Sequence, residues 1–573
     1  MVKKIGIGIH DFKTLIDRDY YYVDKTMFIY DILHEAKPVT ILPRPRRFGK
    51  TLNMSMLQYF FEKHPKQSDN RHLFNDLAIT NYPEIMERQG QYPVIFITFK
   101  GVKYNEWDDC YDKIQSLIAQ EYMRHEYVLQ DNALNEHDKI YIKKIMDKKG
   151  SLSDVADSLF MLSKILYAIH NQKVIILIDE YDAPMQSGFE FNYYEEIKNF
   201  MYSFFCSGLK DNNYLEFSVI TGILRIAKDS LFSGMNNSAS YSMLDDAFAD
   251  KFGFTDQEVT TILDYFQTPI EREKVREWYN GYRFGLPKYD KQGHEHFTMI
   301  YNPWSIIECI NKKALGAHWV NTGGHMLIQE TMRRASAEDK EHLLKILDGG
   351  SVEKTINDTI VFRDVQHDSN AMWSFLVFTG YLTWKSRTPM VGKTTASLIA
   401  PNFEVLDSLK SMITAWFVSY GIENTFKEMV NALININLPY FEELFIESVM
   451  ASVSFFDVPK VRPENMYHAF VLGMFVSLAD THVVTSNLEA GKGRYDVAII
   501  PKDKTKPGIV FEFKRKLKKD ATPLAEVAQG ALEQIDERKY TLPLKKQGIT
   551  SIAKIGIAFQ GKEVEMAFAV EGD

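Results

Sequence analysis

The chain has 573 residues, of which 45% are hydrophobic and 25% charged, and its formal net charge at pH 7 is −9. This composition is typical of a soluble globular protein, and the length predicts about three domains. The negative charge excludes a surface generally adapted to nucleic acid, so we expect any nucleic-acid contact to be local.

Cysteine content and hydropathy indicate the compartment. The three cysteines, Cys110, Cys206 and Cys309, are odd in number and widely spaced, which excludes a disulfide framework and fits a reducing cytoplasm. Residues 1–6 lack the apolar run of a signal peptide, and the longest apolar stretches are too short to span a bilayer. We therefore expect a cytoplasmic protein without a membrane partner.

The first chemical motif follows a short apolar segment at residues 38–43. Residues 44–51 read Arg-Pro-Arg-Arg-Phe-Gly-Lys-Thr and lead into a helical pattern that reaches Phe61. Strand, loop, Gly-Lys-Thr and helix are the context of a P-loop, whose backbone N–H groups hold phosphate oxygens. Lys50 would reach the β and γ phosphates of ATP, and the Thr51 hydroxyl would ligate Mg²⁺. Arg44 stands where the motif has its first glycine, and a helix start without a ligand is the alternative.

A second motif lies at residues 173–180, where five apolar residues precede Asp179 and Glu180. Such a run predicts a buried parallel strand whose carboxyl end meets a ligand crevice. Asp179 would hold the magnesium through its water shell, and Glu180 would polarise the attacking water. The alternative is a core strand that ends in two solvated acids. A third predicted strand, residues 216–222, places Thr221 where it would sense the γ-phosphate.

Several motifs in this half of the chain together resemble the bacterial AAA-ATPase-like proteins. They are Tyr22–Lys25, Arg44–Thr51, Ile178–Pro184, Thr221–Gly222 with Ser233–Asn237, Trp278–Tyr282 and Tyr301–Ser305. The resemblance implies that an arginine at position 44 is normal for the family. The expected nucleotide-binding residues are Arg46, Arg47, Phe48, Gly49, Lys50, Thr51, Asp179 and Thr221.

Near the C-terminus, residues 494–500 and 508–514 predict a hairpin whose polar turn is bounded by Pro501 and Pro507. A hairpin centred on Lys504 places Asp496 opposite Glu512, with Cβ atoms roughly 5 Å apart. Two carboxylates this close repel unless they share a cation, and hard oxygen ligands suit Mg²⁺ or Mn²⁺.

The strand alternation adds a cation to this predicted site. Lys514 lies on the same face as Glu512, whereas Phe511 and Phe513 point into a core. Residues 491–520 hold ten Lys or Arg against four Asp or Glu, a local excess of +6 that suits a phosphate backbone. The alternative is a half-exposed strand with Glu512 and Lys514 on its solvated face.

Residues 464–559 resemble the PD-(D/E)XK nuclease superfamily, in the branch fused to AAA-like ATPases. The matching residues are Glu464, Asp496, Glu512, Lys514, Gln534 and Tyr540. The resemblance implies a metal on Asp496 and Glu512, a catalytic lysine at Lys514, and auxiliary roles for Glu464 and Gln534. Position 487, where this branch has an acidic residue, carries Asn487.

These patterns predict an α/β protein of three parts. A P-loop AAA-like ATPase domain with a parallel sheet is expected at residues 1–270, a mostly helical lid or connector at 271–455, and a PD-(D/E)XK nuclease-like domain at 456–573. The predicted function is that of an ATP-regulated, metal-dependent nuclease acting on nucleic acid, with DNA as the expected substrate and defence against foreign DNA as a role. The alternative is a nucleotide-operated switch whose C-terminal module binds nucleic acid or protein without cutting, and a homo-oligomer is left open.

Overall fold

The computed structural model forms two compact units, residues 1–331 with 351–406 (the first unit) and residues 332–350 with 407–573 (the second unit). The structure describes residues 3–63, 69–225, 236–289, 292, 295–319, 328, 331–332, 335–347, 349–360, 362–365, 368–390, 393–419, 423–455, 478, 481–486, 489–490, 493–494, 497–516, 521–560 and 563–572.

A five-stranded parallel sheet forms the centre of the first unit. Its strands are β1 (Val39–Pro43), β2 (Val94–Thr98), β3 (Val174–Asp179), β4 (Leu215–Gly222) and β5 (Ser238–Ser240), in the order β2-β3-β4-β1-β5. Every residue of β1 and β3 is buried, as expected for parallel strands covered on both faces. The predicted parallel sheet is confirmed, and the carboxyl ends of β1, β3 and β4 meet at one edge.

Helices surround this sheet. Those that begin in the first unit are Phe12–Asp17, Met27–Glu35, Lys50–Phe61, Pro83–Met86, Trp107–Arg124, Glu136–Met146, Leu152–Ala156, Ser158–His170, Ala183–Glu190, Tyr194–Leu209, Asp256–Tyr265, Arg272–Tyr279, Pro303–Lys312, Phe362–Val365, Ser369–Phe378 and Phe403–Ser419, with 3₁₀ turns at Arg71–Phe74, Ala78–Asn81 and Glu126–Gln130. Of the helices described, none has an apolar stretch long enough to cross a lipid bilayer.

Two small antiparallel sheets accompany the helices of the middle region. One consists of β6 (Phe254–Thr255), β7 (Tyr282–Tyr289) and β8 (Glu295–Tyr301), and the other of β9 (Val352–Ile356), β10 (Thr383–Met390) and β11 (Lys393–Ile399). Helices predominate between residues 271 and 455, as predicted, but these strands were not anticipated. Their apolar alternation is short and is interrupted by register shifts in β7 and β10, which weakens a period-two signal.

The second unit contains a mixed sheet of order β12-β15-β16-β17-β18. Its strands are β12 (His482–Ser486), β15 (Val497–Pro501), β16 (Gly508–Arg515), β17 (Ile552–Gln560) and β18 (Glu563–Glu571), beside a two-stranded ribbon of β13 (Glu489–Ala490) and β14 (Gly493–Arg494). The β16 and β17 strands run parallel, and the other neighbours in the sheet are antiparallel. The helices are Ala337–Leu347, Glu423–Ile434, Leu438–Phe455, Leu524–Glu537 and Leu542–Lys546.

Helix Leu524–Glu537 lies directly against β17. A Cβ atom added to Gly556 would come within 2.4 Å of the Leu532 nitrogen and 2.5 Å of the Ala528 carbonyl oxygen, so a glycine is required for this close approach. The core beneath the helix includes Val510, Ile535 and Tyr540. Tyr540 is thus a packing residue, and the helix holds Gln534 near β16.

The two compact units do not share the boundaries predicted from sequence. The first unit extends beyond position 270, and the second already begins its main segment at 407 rather than 456. The predicted connector is therefore shared between the units. A division into three domains remains a prediction.

Candidate nucleotide and nuclease sites

The loop between β1 and helix Lys50–Phe61 has the predicted strand–loop–helix geometry. Gly49 has a φ of +83° at the helix N-cap, a left-handed conformation that favours glycine. Arg47 has a φ of +67°, which is uncommon for a residue with a side chain and requires support from neighbours. The backbone of the loop is therefore shaped for a tight turn immediately before Lys50.

Lys50 points back onto this loop. Its Nζ donates hydrogen bonds to the carbonyl oxygens of Arg44 and Pro45, both at 3.0 Å. Burial lowers the pKa of Lys50, while nearby Glu180 and Asp179 counteract that effect. The ammonium group is thus held at the loop, where an anionic ligand would compensate for its burial.

Asp179 ends β3 and is fully buried. Its carboxylate accepts three hydroxyl hydrogen bonds, from Thr221 at 2.7 Å, Thr51 at 2.8 Å and Thr98 at 3.3 Å. The structure therefore brings together Thr51, Asp179 and Thr221 as the sequence suggested, and adds Thr98 from the end of β2. A cluster of hydroxyl and carboxylate oxygens suits the ligand preference of Mg²⁺.

Glu180 follows Asp179 with a left-handed φ of +53°, which is uncommon for a residue with a side chain. Burial raises the pKa of Glu180, and Lys50 counteracts the shift. Asp179 is thus enclosed whereas Glu180 is partly exposed, so the alternative of two solvated acids does not fit Asp179. Asp182, which sequence reasoning missed, accepts the backbone N–H groups of Ile223 and Leu224 at 2.9 and 3.0 Å.

A cleft of about 610 Å³ opens over the loop, within the range of ligand pockets. Its polar lining includes Lys50, Thr51 and Glu180, together with Lys100 and Lys103, two cations that no motif signalled. Its apolar lining includes Ile5, Ile9, Tyr21, Val23 and Ile307. The cleft thus combines cationic groups, suited to phosphates, with apolar side chains.

Arg44 has a structural role, and its side chain does not line the cleft. It is fully buried, and its guanidinium donates to the carbonyl oxygens of Pro43, Tyr241 and Phe248 at 2.8, 2.7 and 3.2 Å. Phe252 adds a cation–π contact at 5.2 Å. The arginine at the position of the motif's first glycine therefore stabilises the loop from its buried side.

Residues 46–48 of the loop have different environments. Arg46 donates to Gln186 Oε1 at 3.2 Å, and the Arg47 guanidinium lies 3.7 Å above the ring of Trp304. Phe48 is fully buried, and its ring packs against Tyr282. Arg46 and Arg47 thus provide cationic side chains at the cleft, whereas the Phe48 side chain anchors the loop in the core.

In the second unit, β15 and β16 pair in the register that the hairpin prediction requires. Val497 lies opposite Phe511, and Ile499 lies opposite Ile509. Glu464, Asn487 and Asp496 fall outside the described residues, so the proposed roles of Glu464 and Asp496 remain predictions.

Glu512, Lys514 and Gln534 converge between β16 and helix Leu524–Glu537. Glu512 is only 6% exposed, and its Oε1 accepts a hydrogen bond from Gln534 Nε2. Lys514 Nζ donates to the Gly530 carbonyl oxygen at 2.8 Å. The burial of Glu512 contradicts the alternative in which Glu512 lies on a solvated face. A carboxylate is rarely buried without a partner or an ion.

Phe511 and Phe513 of β16 lie on the opposite face of the sheet, as predicted. Phe511 is fully buried and lies against Phe441 of helix Leu438–Phe455, and Phe513 stacks on Phe559. This apolar layer fixes the orientation of the strand. The alternation therefore leaves Glu512 and Lys514 on the face covered by helix Leu524–Glu537.

Comparisons with known proteins agree with this two-site arrangement. Residues 6–232 match the family described as predicted AAA-ATPase, and residues 462–568 match the PD-(D/E)XK nuclease superfamily. A similar protein is the uncharacterized protein in the vnfD 5′ region of Azotobacter chroococcum mcd 1, which is 24% identical over 576 residues that cover 97% of this chain and 96% of that protein. The chain therefore joins an N-terminal AAA-ATPase-like domain to a C-terminal domain of the PD-(D/E)XK nuclease superfamily.

Proposed function

We propose that this protein is an ATP-binding, ATP-regulated and metal-dependent nuclease that cleaves phosphodiester bonds. The observation that carries the proposal is the buried Glu512 carboxylate, which shares one face of β16 with Lys514 and is held by Gln534. A buried acid beside a lysine, in a domain of a nuclease superfamily, supports metal-assisted hydrolysis.

The residues present fit a divalent cation. Glu512 offers carboxylate oxygen, and Asp496 would provide the second carboxylate, so Mg²⁺ or Mn²⁺ matches the donor set. A bound ion would activate water and stabilise charge on the phosphate. In the proposed site Gln534 orients Glu512, Lys514 places a positive charge beside the scissile phosphate, and Glu464 assists.

The nucleotide site supports the ATP-dependent part of the proposal. Lys50 and the backbone around Gly49 would hold the phosphates, Thr51 and Asp179 would hold Mg²⁺, and Glu180 would activate the water for ATP hydrolysis. Thr221 would respond to the γ-phosphate through its hydrogen bond to Asp179. ATP binding would then control cleavage by the second unit.

The experiment is an incubation of the protein with plasmid, linear and single-stranded DNA and with RNA, in Mg²⁺ or Mn²⁺, with and without ATP. We expect DNA cleavage that requires the metal, changes with ATP and is lost in Glu512→Gln. The matched control is Glu526→Gln, because Glu526 is exposed in the first turn of the same helix that holds Gln534. A role against foreign DNA predicts that cells carrying the wild-type protein, but not the variant, restrict incoming plasmid or phage DNA.

Failure of the wild-type protein to cut any of these substrates would contradict the nuclease proposal. Retained binding to nucleic acid or protein, dependent on ATP, would then identify the alternative function, a switch that binds without cutting.

A further inference from the structure

Two groups outside the P-loop hold the carbonyl oxygen of Arg46. Asn302 Nδ2 donates to it at 3.2 Å, and the indole Nε1 of Trp319 donates to it at 3.3 Å. Arg46 immediately precedes Arg47, the loop residue with the left-handed backbone. These donors therefore support the part of the loop whose conformation is least favourable by itself.

The same supports also reach Arg47. Its guanidinium lies over Trp304, and the Trp304 indole Nε1 donates to the His318 carbonyl oxygen at 3.1 Å. Trp304 thus cannot turn away from Arg47 without losing a hydrogen bond to the segment that contains Trp319. The loop, Trp304 and residues 318–319 form one connected set of contacts within the first unit.

Glu404 connects these supports to one another. It is 1% exposed, and its Oε1 accepts the backbone N–H groups of His318 and Trp319, each at 2.6 Å. Its Oε2 accepts the Ser305 hydroxyl at 2.6 Å. Burial raises the pKa of Glu404 to about 7, while these donors and Arg47 counteract the shift. A buried carboxyl group with three donors is costly to remove, because each donor would lose its partner.

We propose that Glu404 is a positioning residue for nucleotide binding. Its hydrogen bonds hold Trp319 in place and, through Ser305 and His318, also Trp304. These two tryptophans in turn let Arg46 and Arg47 keep the loop in its phosphate-binding shape. This inference rests on the proposed binding of ATP at the loop. Glu404 acts through Trp319 on the Arg46 carbonyl. No residue pattern around Glu404 signalled this role, because its partners are 85 to 99 residues away.

The test is a titration of the full-length protein with a fluorescent ATP analogue, alongside the unfolding midpoint without nucleotide. Glu404→Ala should weaken binding about tenfold, because three supporting hydrogen bonds are lost. Glu404→Gln should restore near wild-type affinity, since its carbonyl oxygen still accepts both N–H groups and its amide can donate to Ser305. Glu277→Ala, at an exposed position of helix Arg272–Tyr279, is the control and should bind the analogue as the wild-type protein does.

Trp319→Phe provides a second variant in case Glu404→Ala does not fold. It keeps a benzene ring but removes the fused pyrrole ring with the N–H group that binds the Arg46 carbonyl, so we expect affinity to fall severalfold. The unfolding midpoint should also fall, because a buried side chain loses volume. Wild-type affinity in Trp319→Phe, or equal losses in Glu404→Ala and Glu404→Gln, would overturn the inference. No binding by the wild-type protein, or equal binding by Lys50→Ala, would overturn the nucleotide-binding function itself and the inference with it.

Discussion

Asp179 shows how single residues from different elements assemble the nucleotide site. Its carboxylate is the common acceptor for hydroxyl groups from β2, β4 and the first turn of helix Lys50–Phe61. A substitution of Asp179 would therefore remove a hydrogen-bond acceptor from Thr51 and Thr221 together. Lys50 and Glu180 lie beside this cluster with opposite charges and separable roles.

Lys50→Ala should abolish ATP binding, because it removes the charge that compensates the β and γ phosphates. Glu180→Gln should preserve binding and stop hydrolysis, because it keeps the shape but loses the group that activates water. Isothermal titration and phosphate release measure the two effects, with Lys143→Ala, at an exposed helix position, as the control. Hydrolysis at the wild-type rate in Glu180→Gln would remove Glu180 from the mechanism.

At the candidate nuclease site, metal binding and the cleavage reaction are likewise expected to depend on different residues. Asp496→Ala and Glu512→Ala should each eliminate Mn²⁺ binding and cleavage, because one carboxylate cannot hold the ion in place. Lys514→Ala should bind Mn²⁺ normally and cut about 10²-fold more slowly, since a positioned charge acts on the transition state. Calorimetry with Mn²⁺ and a cleavage assay decide this, and equal metal affinity in wild type and both carboxylate variants would contradict the assignment.

At the scale of elements, helix Leu524–Glu537 provides the partners of both described site residues on β16. Gln534 and the Gly530 carbonyl lie on the same side of this helix, and Gly556 of β17 lets the helix approach the sheet. The spacing between helix and sheet therefore sets the geometry of the site.

Gly556→Ala should displace this helix, because the new Cβ atom would collide with backbone atoms that cannot move independently. We expect a loss of about 1–3 kcal/mol in the free energy of unfolding and weaker Mn²⁺ binding. Gly530→Ala on the helix itself is the control, since its nearest neighbour, Lys514 Nζ, would be 3.7 Å away; it should be neutral or stabilise by up to about 1 kcal/mol. Urea denaturation measures the free energy of unfolding of both variants. If Gly556→Ala were as stable as the wild-type protein, the close packing of helix and sheet would not be required.

At the scale of the whole molecule, the nuclease-like sheet belongs to a unit larger than the domain that the sequence predicted. Phe441 and Phe445 of helix Leu438–Phe455 pack against Phe511 and Phe559 of the sheet. The boundary proposed at residue 456 would remove this helix and expose the aromatic side chains beneath it.

A fragment of residues 407–573 should therefore unfold cooperatively at a higher temperature than a fragment of residues 456–573. The physical reason is the loss of apolar burial when the helix is removed, at roughly 25 cal/mol per Å². Differential scanning calorimetry of the two fragments checks this. Equal midpoints would support an independent nuclease domain that begins at 456.

Local patterns in the sequence determined much of this architecture. The apolar run of β3 and the Gly49-Lys50-Thr51 turn predicted a strand and a P-loop, because periodicity and turn chemistry depend on neighbours in the chain. The turn between Pro501 and Pro507 determined the register of β15 and β16, since the loop length of a hairpin sets its pairing. The alternation of side chains along β16 likewise predicted that Glu512 and Lys514 share one face.

Only the tertiary structure decided which distant groups complete each site. Thr98 donates a hydrogen bond to Asp179 across 81 residues of sequence. Arg44 is buried and donates to backbone carbonyl groups behind the loop. Glu404 connects segments that lie about 90 residues from it in the chain. A sequence pattern reports period and spacing along the chain, whereas these contacts follow from strand order and from helix packing across it. The sequence by itself therefore determined the two motifs, and the packing decided which side chains hold them in place.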